Sequence, residues 1–250
     1  MSIAIRNHKI IIAYDGTVFS GWQRQGLRPT VQLAIEEAMR KCWPGEKIVL
    51  HGSGRTDTGV HANGQTASFK ATAKFKLPVC RSALNNNLPA SVRILSIRFV
   101  PDDFHARFSA KGKEYLYKVY NNEVMPPLEI NRFWHLPRTL DIDLMREAAE
   151  HLIGEHDFAS FTSNPGYDRH STVRTIYDIN FRKSGSRVTI RFYGSGFLYR
   201  MVRNLTGIFA KVGQARISPS EVRKILRAEK RSAAPATAPA HGLYLNKVYY

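Results

Sequence analysis

Two alternating runs, Thr172 to Arg182 and Arg187 to Tyr193, are separated only by a short turn at Ser184-Gly185. Strands joined so briefly fold back on each other as an antiparallel hairpin, because a parallel pair needs a crossover of a dozen or more residues. That hairpin argues against a doubly wound parallel sheet. Further strands are predicted at Lys9 to Tyr14, Ile48 to Leu50, Gln65 to Phe69, Val92 to Val100, Lys113 to Tyr120 and Leu243 to Tyr249. Between them, Thr30 is placed to cap a helix in which Val31, Ile35, Ala38, Met39 and Cys42 recur at helical spacing, with Pro44-Gly45 as its stop. Asp141 caps a second helix reaching His151, Phe197 to Val212 forms a long third and Pro219 to Ala228 a shorter fourth. Strand runs interrupted by helices predict an α+β fold with largely antiparallel sheets.

The 250 residues make one large domain or two small ones. A second block starts near Phe104, which divides the chain into residues 1–103 and 104–250, with the last strand a candidate to return to the central sheet. Lys and Arg number 37 against 20 Asp and Glu, a formal charge of +17. Such an excess points to a polyanionic partner. The basic residues are spread along the whole chain, without a dominant basic amphipathic helix, which favours nucleic acid over a membrane surface. No run reaches membrane-spanning length and no signal-peptide pattern is visible, so a cytoplasmic location is expected. Cys42 and Cys80 form neither a CxxC pair nor a disulfide framework, and Cys42 falls on a helix's apolar face as a buried thiol.

The densest glycine stretch runs from Gly52 to Gly64 around Gly54-Arg55-Thr56-Asp57-Thr58-Gly59-Val60-His61-Ala62. Gly54 and Gly59 have the glycine spacing of a phosphate-binding P-loop, but Val60-His61 stands where Lys and Ser or Thr would follow. A GxGxxG fingerprint starting at Gly52 fails as well, because Asp57 stands where its last glycine would be. What remains is a carboxylate on a constrained loop, two residues from Arg55 and four from His61. An aspartate can act as a nucleophile at a sugar or base carbon. Spacing alone favours the plainer role, an Asx-turn to the backbone. Arg55 is then a solvated charge and His61 a hydrogen-bonded loop residue, since no second ligand stands at chelating distance in sequence.

At this loop the sequence resembles the TruA-type tRNA pseudouridine synthases, and the likeness runs nearly end to end. It includes Tyr14-Asp15-Gly16-Thr17, Gly21-Trp22-Gln23-Arg24-Gln25, the Asp57 loop and Phe104-His105-Ala106-Arg107-Phe108-Ser109-Ala110. It continues through Thr172-Val173-Arg174-Thr175-Ile176, Met201-Val202-Arg203-Asn204 and Thr237 to Leu245. The resemblance implies two RNP-like α/β subdomains flanking a basic cleft, and a homodimer that binds tRNA. It implies isomerisation of uridine to pseudouridine at positions 38, 39 and 40 of the anticodon stem-loop, with no cofactor and no metal. Asp57 matches the nucleophile, Arg203 its basic partner, Tyr115 the active-site tyrosine and Arg55 the residue tied to base flipping. Phe104, His105, Ala106, Arg107 and Phe108 match an RNA-contacting segment, and Arg169 lies in a loop that touches tRNA. Independently, Leu198, Met201, Val202, Leu205, Phe209 and Val212 share one helix face and Arg203 falls away from it. Two other readings stay open: an RNA-binding protein without catalysis, and a nucleoside or glycoside hydrolase, which normally needs two carboxylates in one site.

Overall fold

A computed structural model describes residues 4–163, 171–234 and 236–250. In chain order the elements begin β1 (Ile5–Tyr14), α1 (Val31–Cys42), β2 (His51–Gly52), β3 (His61–Thr72), α2 (Leu77–Asn86) and β4 (Val92–Val100). They continue β5 (Gly112–Tyr120), β6 (Trp134–His135), α3 (Ile142–Glu150), β7 (Gly154–Asp157), β8 (Val173–Ser184) and β9 (Arg187–Gly194). The remainder is α4 (Met201–Gly213), α5 (Pro219–Arg227) and β10 (Leu243–Tyr249), with short 3-10 turns between. The chain forms two compact units, one of Met1–Lys111 with Leu245–Tyr250 and one of Gly112–Tyr244.

In the first unit β1 lies between β4 and β3, antiparallel to both. The stretch from Leu245 runs along the other side of β3. The Thr30 hydroxyl accepts from the Leu33 N–H at the start of α1, a cap of about 1 kcal/mol. The helix buries Val31, Ile35, Ala38, Met39 and Cys42, as their spacing predicts. Trp43 follows, fully buried, with its indole N–H on the Thr72 carbonyl at 3.0 Å. In α2 only Cys80 and Leu84 are buried, four residues apart, and the Asn85 side chain pins the helix to both backbone groups of Ile94.

The second unit orders its strands β5, β9, β8, β7, all antiparallel neighbours. The β8–β9 hairpin turns at Gly185, as read from the sequence. Its core stacks aromatics: Phe209 of α4 meets Phe181 edge-on at 5.2 Å and Phe192 at 6.1 Å. Asp141 caps α3 through the N–H groups of Asp143 and Leu144.

Four local expectations are corrected. Ile48 to Leu50 is not a strand; pairing to β3 begins only at His51, and the Thr72 N–H further along β3 is taken by the Glu46 carboxylate at 3.1 Å. The strand expected from Gln65 begins at His61. The third helix starts at Met201, because Arg200 sits at φ +60 in the left-handed region. That helix is buried nearly all round, including Asn204, Thr206 and Gly207, with only Arg203 and Lys211 half-exposed. The helix Leu77–Asn86 and the strand Gly154–Asp157 were not expected from periodicity.

Candidate active site

Asp57 is half-buried on a loop held at both ends. On the entry side, fully buried Gln65 accepts the Ser53 hydroxyl at 2.6 Å and donates to the Gly54 carbonyl at 2.9 Å. Thr56 is fixed twice: its hydroxyl shares a 2.8 Å hydrogen bond with Tyr14, and its carbonyl accepts the Trp22 N–H at 3.1 Å. On the exit side the Val60 N–H donates to the Asp57 carbonyl at 3.1 Å, closing a β-turn with Gly59 at φ +77 in the position that favours glycine. The Gly59 N–H, which an Asx-turn from Asp57 would use, is directed to the Phe19 carbonyl at 3.4 Å. Each of these bonds runs to a group outside the loop or closes it, so the backbone that carries Asp57 is held by β1, β3 and the segment preceding α1.

That preceding segment approaches very closely. Gly21 has φ +88, and a Cβ there would stand 2.5 Å from the Thr56 carbonyl oxygen and 3.2 Å from the carbonyl carbon of Asp57. The Gly21 carbonyl also receives the Val31 N–H, so one peptide links the start of α1 to the Asp57 loop. His61 is buried; its Nδ1 accepts the Gly16 N–H at 3.0 Å and lies 3.2 Å from an Asp15 carboxylate oxygen. Arg55 is exposed on the same loop.

The segment 101–109 crosses the face of this sheet that carries Asn7, Lys9 and Ser68. The Asn7 amide donates to the carbonyls of Pro101 and Phe104, both at 2.9 Å. The Ser68 hydroxyl accepts the Ala106 N–H at 3.1 Å, and the Ala106 carbonyl accepts the Tyr250 hydroxyl at 2.7 Å. Lys9, paired with Ser68 in the ladder, lies under the Tyr250 ring at 3.5 Å and near Phe104 at 5.1 Å. Burial, and then the neighbouring Arg98, bring its ammonium down to about 8. Ala106 is wholly buried, and through both of its backbone groups it anchors the turn. Phe104 and His105 are half-buried, while Arg107 and Phe108 project, the Phe108 ring 76% exposed.

Tyr115 and Arg203 belong to the second unit. Tyr115 is 8% exposed, opposite Phe192 in the ladder and edge-on to Phe197 at 5.3 Å. Tyr117, two residues on, is fully buried with its hydroxyl on the Pro239 carbonyl at 2.7 Å. Burial pushes the Tyr117 hydroxyl's pKa well up, against a smaller opposing pull from Arg203. Arg203 and Ala238 bond reciprocally: Nε donates to the Ala238 carbonyl at 2.8 Å, and the Ala238 N–H donates to the Arg203 carbonyl at 3.1 Å. The next residue, Asn204, is wholly buried; it donates to the Phe161 carbonyl at 2.7 Å and accepts from Thr237 at 2.6 Å and Arg231 at 3.3 Å. Arg169 lies outside the described residues.

The supports Gln65, Tyr14, Gly21, Lys9, Tyr250, Asn204 and Thr237 were not singled out for the site from sequence. Ladder register could have flagged one of them, since Lys9, Ser68 and His51 stand in one row across β1, β3 and β2.

The sequence profile of a family described as tRNA pseudouridine synthase matches residues 10–109 and 148–250. These stretches contain Arg55, Asp57, the 104–108 segment and Arg203 but not Tyr115. A tRNA pseudouridine synthase A of Methylacidiphilum infernorum is 48% identical over 250 residues, covering 100% of this chain and 98% of that protein. One from a Thermoanaerobacter species is 42% identical over 98% of this chain and 100% of its own, and one from Listeria innocua 43% identical over 97% and 98%. Among solved structures, an archaeal box H/ACA sRNP Nop10-Cbf5 complex aligns with 81% of this chain and 44% of that one, at 13% identity and a TM-score of 0.37. No helix among the described residues is long and apolar enough to cross a membrane.

Proposed function

The chain belongs to the tRNA pseudouridine synthase family and isomerises uridine in tRNA, and from that premise we propose that it acts at positions 38, 39 and 40 of the anticodon stem-loop with Asp57 as the nucleophile. The observation that carries the role of Asp57 is its placement: a half-buried carboxylate on a loop whose flanking residues are tied to Gln65, Tyr14, Trp22 and Phe19. A nucleophile works best when its geometry is fixed before substrate arrives. In the reaction the N1–C1′ bond breaks, the uracil turns and a C5–C1′ bond forms. The C5 hydrogen leaves to solvent and N1 gains one, so atoms balance without an added reagent. Both attack at C1′ and elimination to a glycal fit this carboxylate.

A uridine in a stem must first be unstacked, at a cost of a few kcal/mol. Arg55, exposed beside Asp57, is proposed to act in that step. Tyr115 is proposed to receive the uracil on the small part of its ring that is exposed, and Arg203 to serve as the catalytic cation acting with Asp57. Arg107 and Phe108 are proposed to hold RNA, and the 164–170 loop with Arg169 to touch tRNA. The same reading makes the working enzyme a cytoplasmic homodimer that needs no cofactor; sedimentation of the protein with and without tRNA tests the dimer.

The test uses tRNA carrying tritium at uridine C5. Wild-type protein is expected to release label from tRNAs with uridine at 38, 39 or 40, and Asp57→Ala to release none while binding tRNA with unchanged affinity. Release by Asp57→Ala refutes the nucleophile. Release only from tRNAs lacking uridine at those three positions refutes the target assignment.

A further inference from the structure

His105 caps a single helical turn. Its Nδ1 accepts the backbone N–H of Arg107 at 3.1 Å and of Phe108 at 3.3 Å. Its own N–H donates to the Ser109 hydroxyl at 3.0 Å, and the Ser109 N–H returns to the His105 carbonyl at 2.9 Å. This is the bonding of a helix N-cap, in which a side-chain acceptor satisfies the N–H groups two and three residues on. Histidine is an unusual cap, because it can accept at Nδ1 only while that nitrogen is unprotonated. The ring is itself packed between His51 at 4.8 Å and Phe108 at 4.5 Å. Ala106 is tied to Ser68 and Tyr250, while Arg107 and Phe108 are exposed and their backbone N–H groups go to the His105 ring.

We propose that His105 is a positioning residue rather than an RNA contact: its neutral imidazole folds the turn that presents Arg107 and Phe108 to tRNA. The proposal rests on the reading of Arg107 and Phe108 as RNA contacts. Protonating Nδ1 removes the acceptor for both N–H groups, so the turn opens as pH falls. Burial, then His51 and Arg107, lower the pKa of His105 from its ordinary 6.5, which keeps the cap intact at neutral pH. The groups facing the ring are His51 from β2, Arg107 and Phe108 from the turn itself, and Ser109 beyond it.

Asparagine places its Oδ1 close to where histidine places Nδ1 and accepts without titrating, which supplies the test. Amide exchange of Arg107 and Phe108 is measured in the free protein, and tRNA affinity at fixed salt, for wild type, His105→Ala and His105→Asn, from about pH 7.5 to about pH 5. His105→Ala is expected to expose both amides and weaken tRNA binding about fivefold, the loss of an ordinary cap. His105→Asn is expected to keep both properties and to hold its affinity in acid, where wild type declines relative to it. If His105→Asn behaves like His105→Ala, the ring itself is what matters and the proposal is overturned. Unchanged exchange in His105→Ala overturns it too. Exposed amides with unchanged affinity refute the RNA role of the tip while leaving the cap in place.

Discussion

Replacing Gly21 by alanine tests whether the approach of one peptide sets the position of Asp57. The new Cβ would lie 2.5 Å from the Thr56 carbonyl oxygen, about 0.9 Å inside the 3.4 Å at which ordinary contact begins. Both neighbours are backbone, and the Trp22 N–H bonds the same oxygen, so no flexible side chain can yield. The positive φ of +88 adds strain of about 1–3 kcal/mol for an L side chain. Overpacking adds about 1–3 kcal/mol more. Relief comes only by moving the Thr56–Asp57 peptide, and a shift near 1 Å at a reacting group costs on the order of a hundredfold in rate. Gly45→Ala is the control: φ there is +82, but nothing lies within 4 Å of the added carbon. It carries the strain without the collision. Thermal unfolding and single-turnover tritium release are measured on both. Gly21→Ala is expected to be the less stable and to lose about a hundredfold in turnover, Gly45→Ala to turn over normally. Wild-type turnover in Gly21→Ala, with a stability loss no larger than the control's, refutes the reasoning.

Asn204→Ala deprives the Phe161 carbonyl, the Thr237 hydroxyl and the Arg231 guanidinium of one buried partner, and is expected to cost about 2–5 kcal/mol in thermal unfolding; a cost below about 1 kcal/mol contradicts the network. His8 is buried flat against Phe69 at 4.8 Å, and burial lowers its pKa below 6.5 in the fold. The unfolded chain therefore binds the proton first, so stability falls as pH drops below about 6.5. His8→Phe should lessen that loss between pH 7 and pH 5, and an unaltered pH profile argues against it. Burial pushes the Cys80 thiol up to about 12, so native protein should react with Ellman's reagent only as fast as it unfolds. Prompt labelling of Cys80 contradicts this.

The sequence pattern located one helix that buries a clear stripe and two strands rich in apolar residues. Val31 to Cys42, Val92 to Val100 and Leu243 to Tyr249 have the bounds their patterns predict. It failed where burial and pattern part company. Only two residues of Leu77–Asn86 are buried, so that helix has no stripe to read. Val49 is 55% exposed, so an apolar run became a false strand. The stretch before Met201 is apolar enough for a helix, but a left-handed Arg200 separates it from one. The Asp57 loop was legible as a glycine-dense interruption, and its motif carried the family. What holds the loop was not, because Gly21 and Gln65 act through contacts that local spacing does not encode. The His105 cap was missed because histidine is not among the usual capping residues.

Residues 245–250 complete the first unit although they are synthesised after the whole of the second. On the ribosome the sheet carrying Asp57 waits without its last neighbour for β3, and Lys9 waits without the Tyr250 ring above it. Contacts this distant in sequence close slowly, since their loop entropy must be met before they stabilise anything. Until then the Ala106 turn also lacks the Tyr250 hydroxyl that fixes its carbonyl. The surface that displays Arg107 and Phe108 is therefore finished only once residues 245–250, which follow the whole second unit, have joined the first.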